Sequence, residues 1–265
     1  MAEKNFFEKV QFLIQTYGRG YLDGAKITLL LALVGTFFGC LIGFICGIVQ
    51  TIPVEKNDSP AKKIVVRLAK CLIGVYVEFF RGTPMMVQAG FIYYGIIQYT
   101  SYHIDPLFAG FFVISINTGA YMAETMRGGI FSVDKGQTEA AKAIGMNHVQ
   151  TMLFVVLPQA IRNIMPQIGN NFIINIKDSS VLSVISTTEL MFFARSVSGV
   201  YYTYFESMSI ACAVYLTMTL ISSRLLRLVE KRIDGADNYD LSTTDTLAHT
   251  SGMTSAPTQH DKRGV

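Results

Sequence analysis

The chain has 265 residues, of which 51% are hydrophobic and only 15% charged, with a net charge of +3 and a mean hydropathy of +0.38. A soluble domain carries about a quarter charged residues, and the few charges here cluster between long apolar runs, so the composition places the chain in a bilayer. There is no basic stripe interleaved with aromatics, and nucleic acid is not an expected partner.

Residues 1–24 mix Glu3, Lys4, Glu8 and Lys9 with apolar residues and read as an amphipathic lead-in rather than a cleaved signal. A helix needs about 20 mainly apolar residues to cross the hydrocarbon layer. The clearest such run is Ile27 to Val49, which is uncharged and ends before Pro53. A second runs from about Ile64 to Gln98, too long for one simple span and interrupted by Arg81-Gly82-Thr83-Pro84. The third is about Pro106 to Met126, the fourth Ile161 to Ile185 with a break at Lys177-Asp178, and the fifth Phe205 to Leu228. The expected fold is therefore an all-α membrane domain of about five spans over residues 25–232. Residues 233–265, rich in Thr, Ser, His and Gly, read as a disordered cytoplasmic tail.

Lys and Arg near span ends mark the cytoplasmic side. Lys56, Lys62, Lys63, Arg67 and Lys70 follow span one, while Arg127, Lys135, Lys142 and Arg162 follow span three. Arg224, Arg227, Lys231 and Arg232 follow span five. The expected topology is N-terminus out and C-terminus in, against the minor evidence of Lys4, Lys9, Arg19 and Lys26. Cys40, Cys46, Cys71 and Cys212 lie in apolar runs without ligand spacing, and the four His are scattered, so free thiols and no metal site are expected. No internal repeat is visible, which weighs against secondary transporters built from duplicated halves.

Between spans three and four, Ser132 to Met146 predicts a short helix. Asp134 is placed to cap it, with Gln137 three residues on as in a capping box, and Gly145 suits its C-terminal stop. Two turns are unstable without docking. The residues alone leave open whether the helix meets another protein or lies at the membrane surface.

Glu139-Ala140-Ala141, Gly145 and the sequence Val155-Val156-Leu157-Pro158 resemble the EAA loop of ATP-binding-cassette (ABC) importer permeases, with Val155 replacing the family's Ile. Glu78-Phe-Phe-Arg-Gly-Thr-Pro84, Gln88, Tyr121-x-x-Glu124-x-x-Arg127-Gly-Gly129 and Ile176-Lys-Asp-Ser-Ser-Val-Leu182 resemble the polar amino-acid branch of that family. The likeness covers about Ala25 to Leu228; the loop Thr51 to Lys63 and the tail depart from it. It implies the type I importer fold, in which the loop of about residues 132–158 docks on an ATPase subunit through Glu139, Ala140, Ala141 and Gly145, and Pro158 sets the start of the next span. It also implies a cytoplasmic (inner) membrane location, an extracytoplasmic solute-binding protein, and a second permease, identical or related. ATP and Mg would sit on the ATPase partner and no cofactor on this chain.

Charges within a bilayer are costly unless they pair or line a wet cavity. Glu78 and Arg81, three apart beside the helix break at Thr83-Pro84, therefore read as a substrate path or as a structural ion pair, with Gln88 nearby. Asp178, Ser179 and Ser180 place polar groups within span four. Glu189 reads either as an external-loop residue or as an acid for a basic amino acid; the likeness to permeases for basic amino acids implies a cavity-facing position. Glu124 and Arg127 read chiefly as the cytoplasmic end of span three.

The chain has no Gly-x4-Gly-Lys-Ser/Thr phosphate loop, no nucleophile arrangement and no catalytic residues, so it is not expected to be an enzyme. The expected function is the transmembrane subunit of an importer for a polar, possibly basic, amino acid. The competing expectations are an ion-coupled secondary transporter using Glu78, Glu124 or Glu189, and a membrane scaffold that merely recruits a soluble protein.

Overall fold

A computed structural model describes residues 5–54 and 58–234, and every regular element among them is helical. Lys56, the first four residues and the tail beyond residue 234 lie outside the described residues.

Helix α1 runs from Phe6 to Thr51 without a break. The expected separate lead-in over residues 1–24 is thus, from Phe6 onward, the first half of one helix. Its two halves have different partners. Leu13, Tyr21 and Ala25 join Leu190, Ala194, Val197, Ile210 and Ala211 in one core cluster. Beyond Leu31 the helix turns a stripe of glycines to the helix formed by Pro106–Phe131.

Helix α2 (Pro60–Gly82) starts with Pro60 in its first turn and Ser59 accepting from the Lys62 amide, and it stops at Thr83-Pro84. Proline removes a donor and disfavours helical geometry in the residue before it. The expected long second span is therefore two helices, α2 and α3 (Met85–Thr100). At 23 residues α2 is about 35 Å long and can cross, whereas α3 with 16 is only about 24 Å. Helix α4 (Pro106–Phe131) starts where the Asp105 carboxylate accepts from the amides of Leu107 and Phe108.

The segment expected to dock on an ATPase follows as α5 (Lys135–Ala143) and α6 (His148–Thr151). A π-helical turn, Met152–Val156, runs directly into α7 (Leu157–Asp178), and a 3-10 turn, Ser179–Ile185, continues it. Pro158 explains the π turn: its ring collides with the carbonyl four residues back, and widening the helix removes the clash. The polar Lys177-Asp178 pair does not interrupt span four but marks where it tightens from α to 3-10. Helices α8 (Leu190–Tyr201) and α9 (Tyr204–Asp234) complete the fold.

Among the described residues, α1, α4 and α9 are long and apolar enough to cross a membrane by composition. Helices α2 and α7, with 23 and 22 residues, have the length but carry more polar groups.

Gly35, Gly39, Gly43 and Gly47 of α1 face Ile114, Thr118, Met122 and Met126 of α4 in step, so the two helices run parallel. A Cβ on Gly43 would sit 2.2 Å from the Met122 Cβ and 2.7 Å from its carbonyl carbon. Lipid provides no hydrophobic push between helices, so small residues that let backbones approach supply much of the packing. Helix α7 crosses this pair in the opposite direction, with Ile164 beside Gly129 and Asn175 beside Thr118. At that crossing the Asn175 amide donates to Thr36 Oγ1 at 2.9 Å, Thr118 Oγ1 donates to Asn175 Oδ1 at 3.1 Å, and Thr36 Oγ1 donates to the Ala32 carbonyl. These buried polar groups satisfy one another, as groups away from water must.

Candidate functional site

Of the recesses among the described residues, two are lined by several polar and charged side chains. The first, of about 500 Å³, opens where the α2–α3 break meets α4 and α7. It is lined by Arg81, Gly82, Thr83, Pro84 and Met85 from the break, and by Asn117, Thr118 and Tyr121 from α4. Asn171, Ile174, Asn175 and Asp178 close it from α7. At a rise of about 1.5 Å per residue, Asn117 lies about 17 Å along α4 from Pro106 and Tyr121 about 15 Å before Phe131. The recess therefore sits near the middle of a spanning helix.

The broken backbone at its edge is held by Gln88, which is buried. The Gln88 amide nitrogen donates to the carbonyls of Phe80 and Thr83 and to Thr83 Oγ1, at 2.9, 2.9 and 2.8 Å. Its oxygen accepts from Asn117 Nδ2 at 2.9 Å, and Asn117 also donates to the Phe80 carbonyl. Carbonyls freed by Pro84 are thus paired within protein, the condition for irregular backbone at membrane depth. Arg81 lies between the two carbonyls that Gln88 grips. Its guanidinium sits 5.6 Å from the centre of the Tyr121 ring and 3.8 Å from Glu124 Oε2, and Glu124 Oε1 bonds directly to Arg127.

Of the residues expected on a substrate path, the structure brings Arg81, Thr83 and Asp178 together around this recess. Gln88 does not line it; its polar atoms are used to shape the break. Glu78 is exposed one turn before Arg81, outside the lining, and the partner of Arg81 is Glu124 rather than Glu78. Ser179 is fully buried and donates to the Ile176 carbonyl, and Ser180 is half-buried beside it; neither lines the recess.

Glu189, in the link before α8, does not face solvent and lines neither recess. It is fully buried, accepting from the amides of Met191 and Phe192 at 2.8 and 2.6 Å and from Tyr215 Oη at 2.8 Å. It caps α8 at the positive end of the helix dipole, which offsets the cost of burying a carboxylate. Sequence reasoning followed charges and so passed over Asn117, Asn171 and Asn175, and it met Tyr121 only as part of the family pattern. Their spacing of four residues, on apolar helices, was the available signal.

The second recess, of about 400 Å³, lies at the end of the bundle where α1 and α4 finish. Thr51, Pro53, Ile130 and Val133 line it with Lys135, Glu139 and Lys142 of α5, and His148 and Met152 beyond. Asp134 caps α5 by accepting from the Gly136 amide at 2.6 Å, not through the expected capping box with Gln137. Gly145 has φ +87°, with its amide bonded to the Lys142 carbonyl and the Met146 amide to that of Ala141. This is a Schellman stop, which needs the left-handed conformation glycine adopts freely. Glu139, Ala140, Gly145 and Pro158 are exposed. Ala141 is buried, so it packs α5 onto its own chain instead of joining an outward contact surface.

Residues 65–235 match the family described as binding-protein-dependent transport system inner membrane component. The glutamine transport system permease protein of Escherichia coli (strain K12) is 35% identical over 213 residues, spanning 80% of this chain and 92% of the relative. The putative glutamine transport system permease protein of Rickettsia typhi is 33% identical over 228 residues, 86% of this chain and 95% of the relative. The crystal structure of an amino acid ABC transporter with histidines superposes with a TM-score of 0.73 at 36% identity, covering 86% of this chain and 99% of that one. An inward-facing methionine ABC transporter shares the fold with a TM-score of 0.60 at 16% identity, over 78% and 95% of the two chains. The chain belongs to the binding-protein-dependent inner-membrane transport components, the permease subunits of ABC importers, and has their type I fold.

Proposed function

We propose that this inner-membrane permease subunit carries a neutral polar amino acid, with glutamine the first candidate, through the mid-depth recess beside Arg81. The observation that carries this reading is the composition of that recess: one cation, Arg81, one anion, Asp178, and the side chains of Asn117, Asn171, Asn175, Thr118 and Tyr121. An amino acid is a zwitterion. Arg81 suits its carboxylate, since guanidinium binds carboxylate through two parallel hydrogen bonds. Asp178 suits its ammonium group, and the amides suit a side chain that both donates and accepts. Opposite charges in the lining favour a net neutral solute over a basic one. Relatives named for glutamine transport support the same class.

The exposed face of α5 with Glu139 and Ala140 is the proposed contact for a separate ATPase, which would hold ATP and Mg. An extracytoplasmic binding protein would deliver the solute, and a second permease would complete the path. The chain itself hydrolyses nothing. The ends of α1 and α4 and the coupling segment meet at one end of the bundle, which fits a cytoplasmic face there and the N-terminus outside. ATP-driven closure can move the permease only if the ATPase binds its two states with different affinity.

The test is ATP-dependent accumulation of labelled L-glutamine, L-histidine and L-lysine in proteoliposomes holding the permease, its ATPase and the binding protein. Glutamine should accumulate in preference to lysine, and only with ATP. Preferential lysine uptake would refute the neutral-substrate reading. Uptake by the permease alone under an ion gradient would instead restore the secondary-transporter reading.

A further inference from the structure

We infer that Glu124 is a resident competitor for the Arg81 guanidinium: it holds that cation while the recess is empty, and the carboxylate of an incoming amino acid displaces it toward Arg127. This rests on the reading above that Arg81 receives the substrate carboxylate.

Glu124 is shared unequally between two arginines. One oxygen bonds directly to Arg127 Nη2 on the same helix, while the other lies 3.8 Å from Arg81 Nη1. The longer separation is a charge contact, beyond hydrogen-bond range. Arg81 lines the recess, and Glu124 and Arg127 do not. The Tyr121 ring, 5.6 Å from the guanidinium carbon, keeps Arg81 over α4 without using its N–H donors. A carboxylate entering the recess can reach those donors at about 2.8 Å in the bidentate geometry, which a 3.8 Å contact cannot match.

Displacement leaves no charge stranded, because Arg127 already holds Glu124 and an uncompensated charge would be costly. Arg127 lies one turn nearer the α4–α5 corner, and its own guanidinium stacks on Phe131, the last residue of α4. Substrate arrival therefore moves a negative charge toward the coupling end of α4. The three side chains are 36–42% exposed, so the competition alters affinity by a small factor.

The experiment is equilibrium binding of tritiated L-glutamine to the purified permease–ATPase complex. Glu124→Gln removes the competitor and should tighten binding about three- to fivefold. Arg127→Gln leaves Glu124 with Arg81 alone and should weaken it by a similar factor, although Arg127 does not line the recess. The double variant should bind like Glu124→Gln. A merely structural ion network would weaken binding in both single variants, and that result, or no change in either, overturns the inference. Arg81→Gln separates the two levels of the argument. If it binds glutamine like the wild type, the assignment of Arg81 to the carboxylate falls and the competitor falls with it. If it loses binding while the other two fail to move in opposite directions, only the competitor role is lost.

Discussion

Replacing Gly43 with alanine tests the glycine-lined contact between α1 and α4. The new Cβ would lie 2.2 Å from the Met122 Cβ, 2.7 Å from its carbonyl carbon and 2.8 Å from the Ala123 nitrogen. Carbon atoms rest about 3.5–4.0 Å apart, so the helices must separate locally by about 1.3 Å or more. Two of the three obstructing atoms are backbone, so no rotamer change relieves the clash. Overpacking of this kind costs about 1–3 kcal/mol, and opening the seam also loosens the neighbouring contacts at Gly39 and Gly47. For a chain of this size the expected fall in Tm is roughly 2–10 °C. The control is Gly74→Ala on α2, where an added Cβ meets nothing within 4 Å. There the helix-propensity gain of alanine, about 1 kcal/mol, should leave stability equal or higher. Thermal unfolding of the purified protein can be followed through Cys40 and Cys46, half-buried on α1, after replacing exposed Cys71 and Cys212 with serine. Equal stability of Gly43→Ala and Gly74→Ala would refute the close-packing argument.

Three further outcomes follow from the site geometry. Gln88→Leu strips four hydrogen bonds from the α2–α3 break; it should destabilise by about 1–3 kcal/mol and weaken glutamine binding as Arg81 loses its fixed position, both read on the same purified complex. Glu189→Gln should lower Tm through the weakened α8 cap yet leave the preference between glutamine and lysine unchanged in uptake assays. A switch in preference would return Glu189 to the substrate path. Gly145→Val forces a branched residue to φ +87°, a cost of about 1–2 kcal/mol, and should reduce ATP-driven uptake while the permease still binds glutamine.

How much the sequence revealed depended on whether the signal was local. Pro84 and Pro106 fix helix boundaries through their own neighbours, so the break in span two and the start of span three were legible; the start of α2 at Pro60, inside the stretch set apart as a loop, was not. The Gly145 stop and the Asp134 cap were legible for the same reason. The fate of Glu189 was not, because its third partner, Tyr215, is 26 residues away and its burial depends on where α9 packs. Ala141 shows the same limit: a nine-residue helix has two faces, and only its neighbours decide which one turns inward. Asn175 reads as one more polar residue until α1 brings Thr36 to it across 139 positions.

The π turn at Met152–Val156 sets the rotational phase of everything after it. With 3.6 residues per turn, one residue gained or lost in an unbroken helix swings the downstream face by about 100°. Asn171, Asn175 and Asp178 all lie downstream on α7. Resetting that one turn to α geometry would carry them away from the recess together, with no change to any residue that lines it. The wide turn ahead of α7 therefore sets which side of that helix faces the recess.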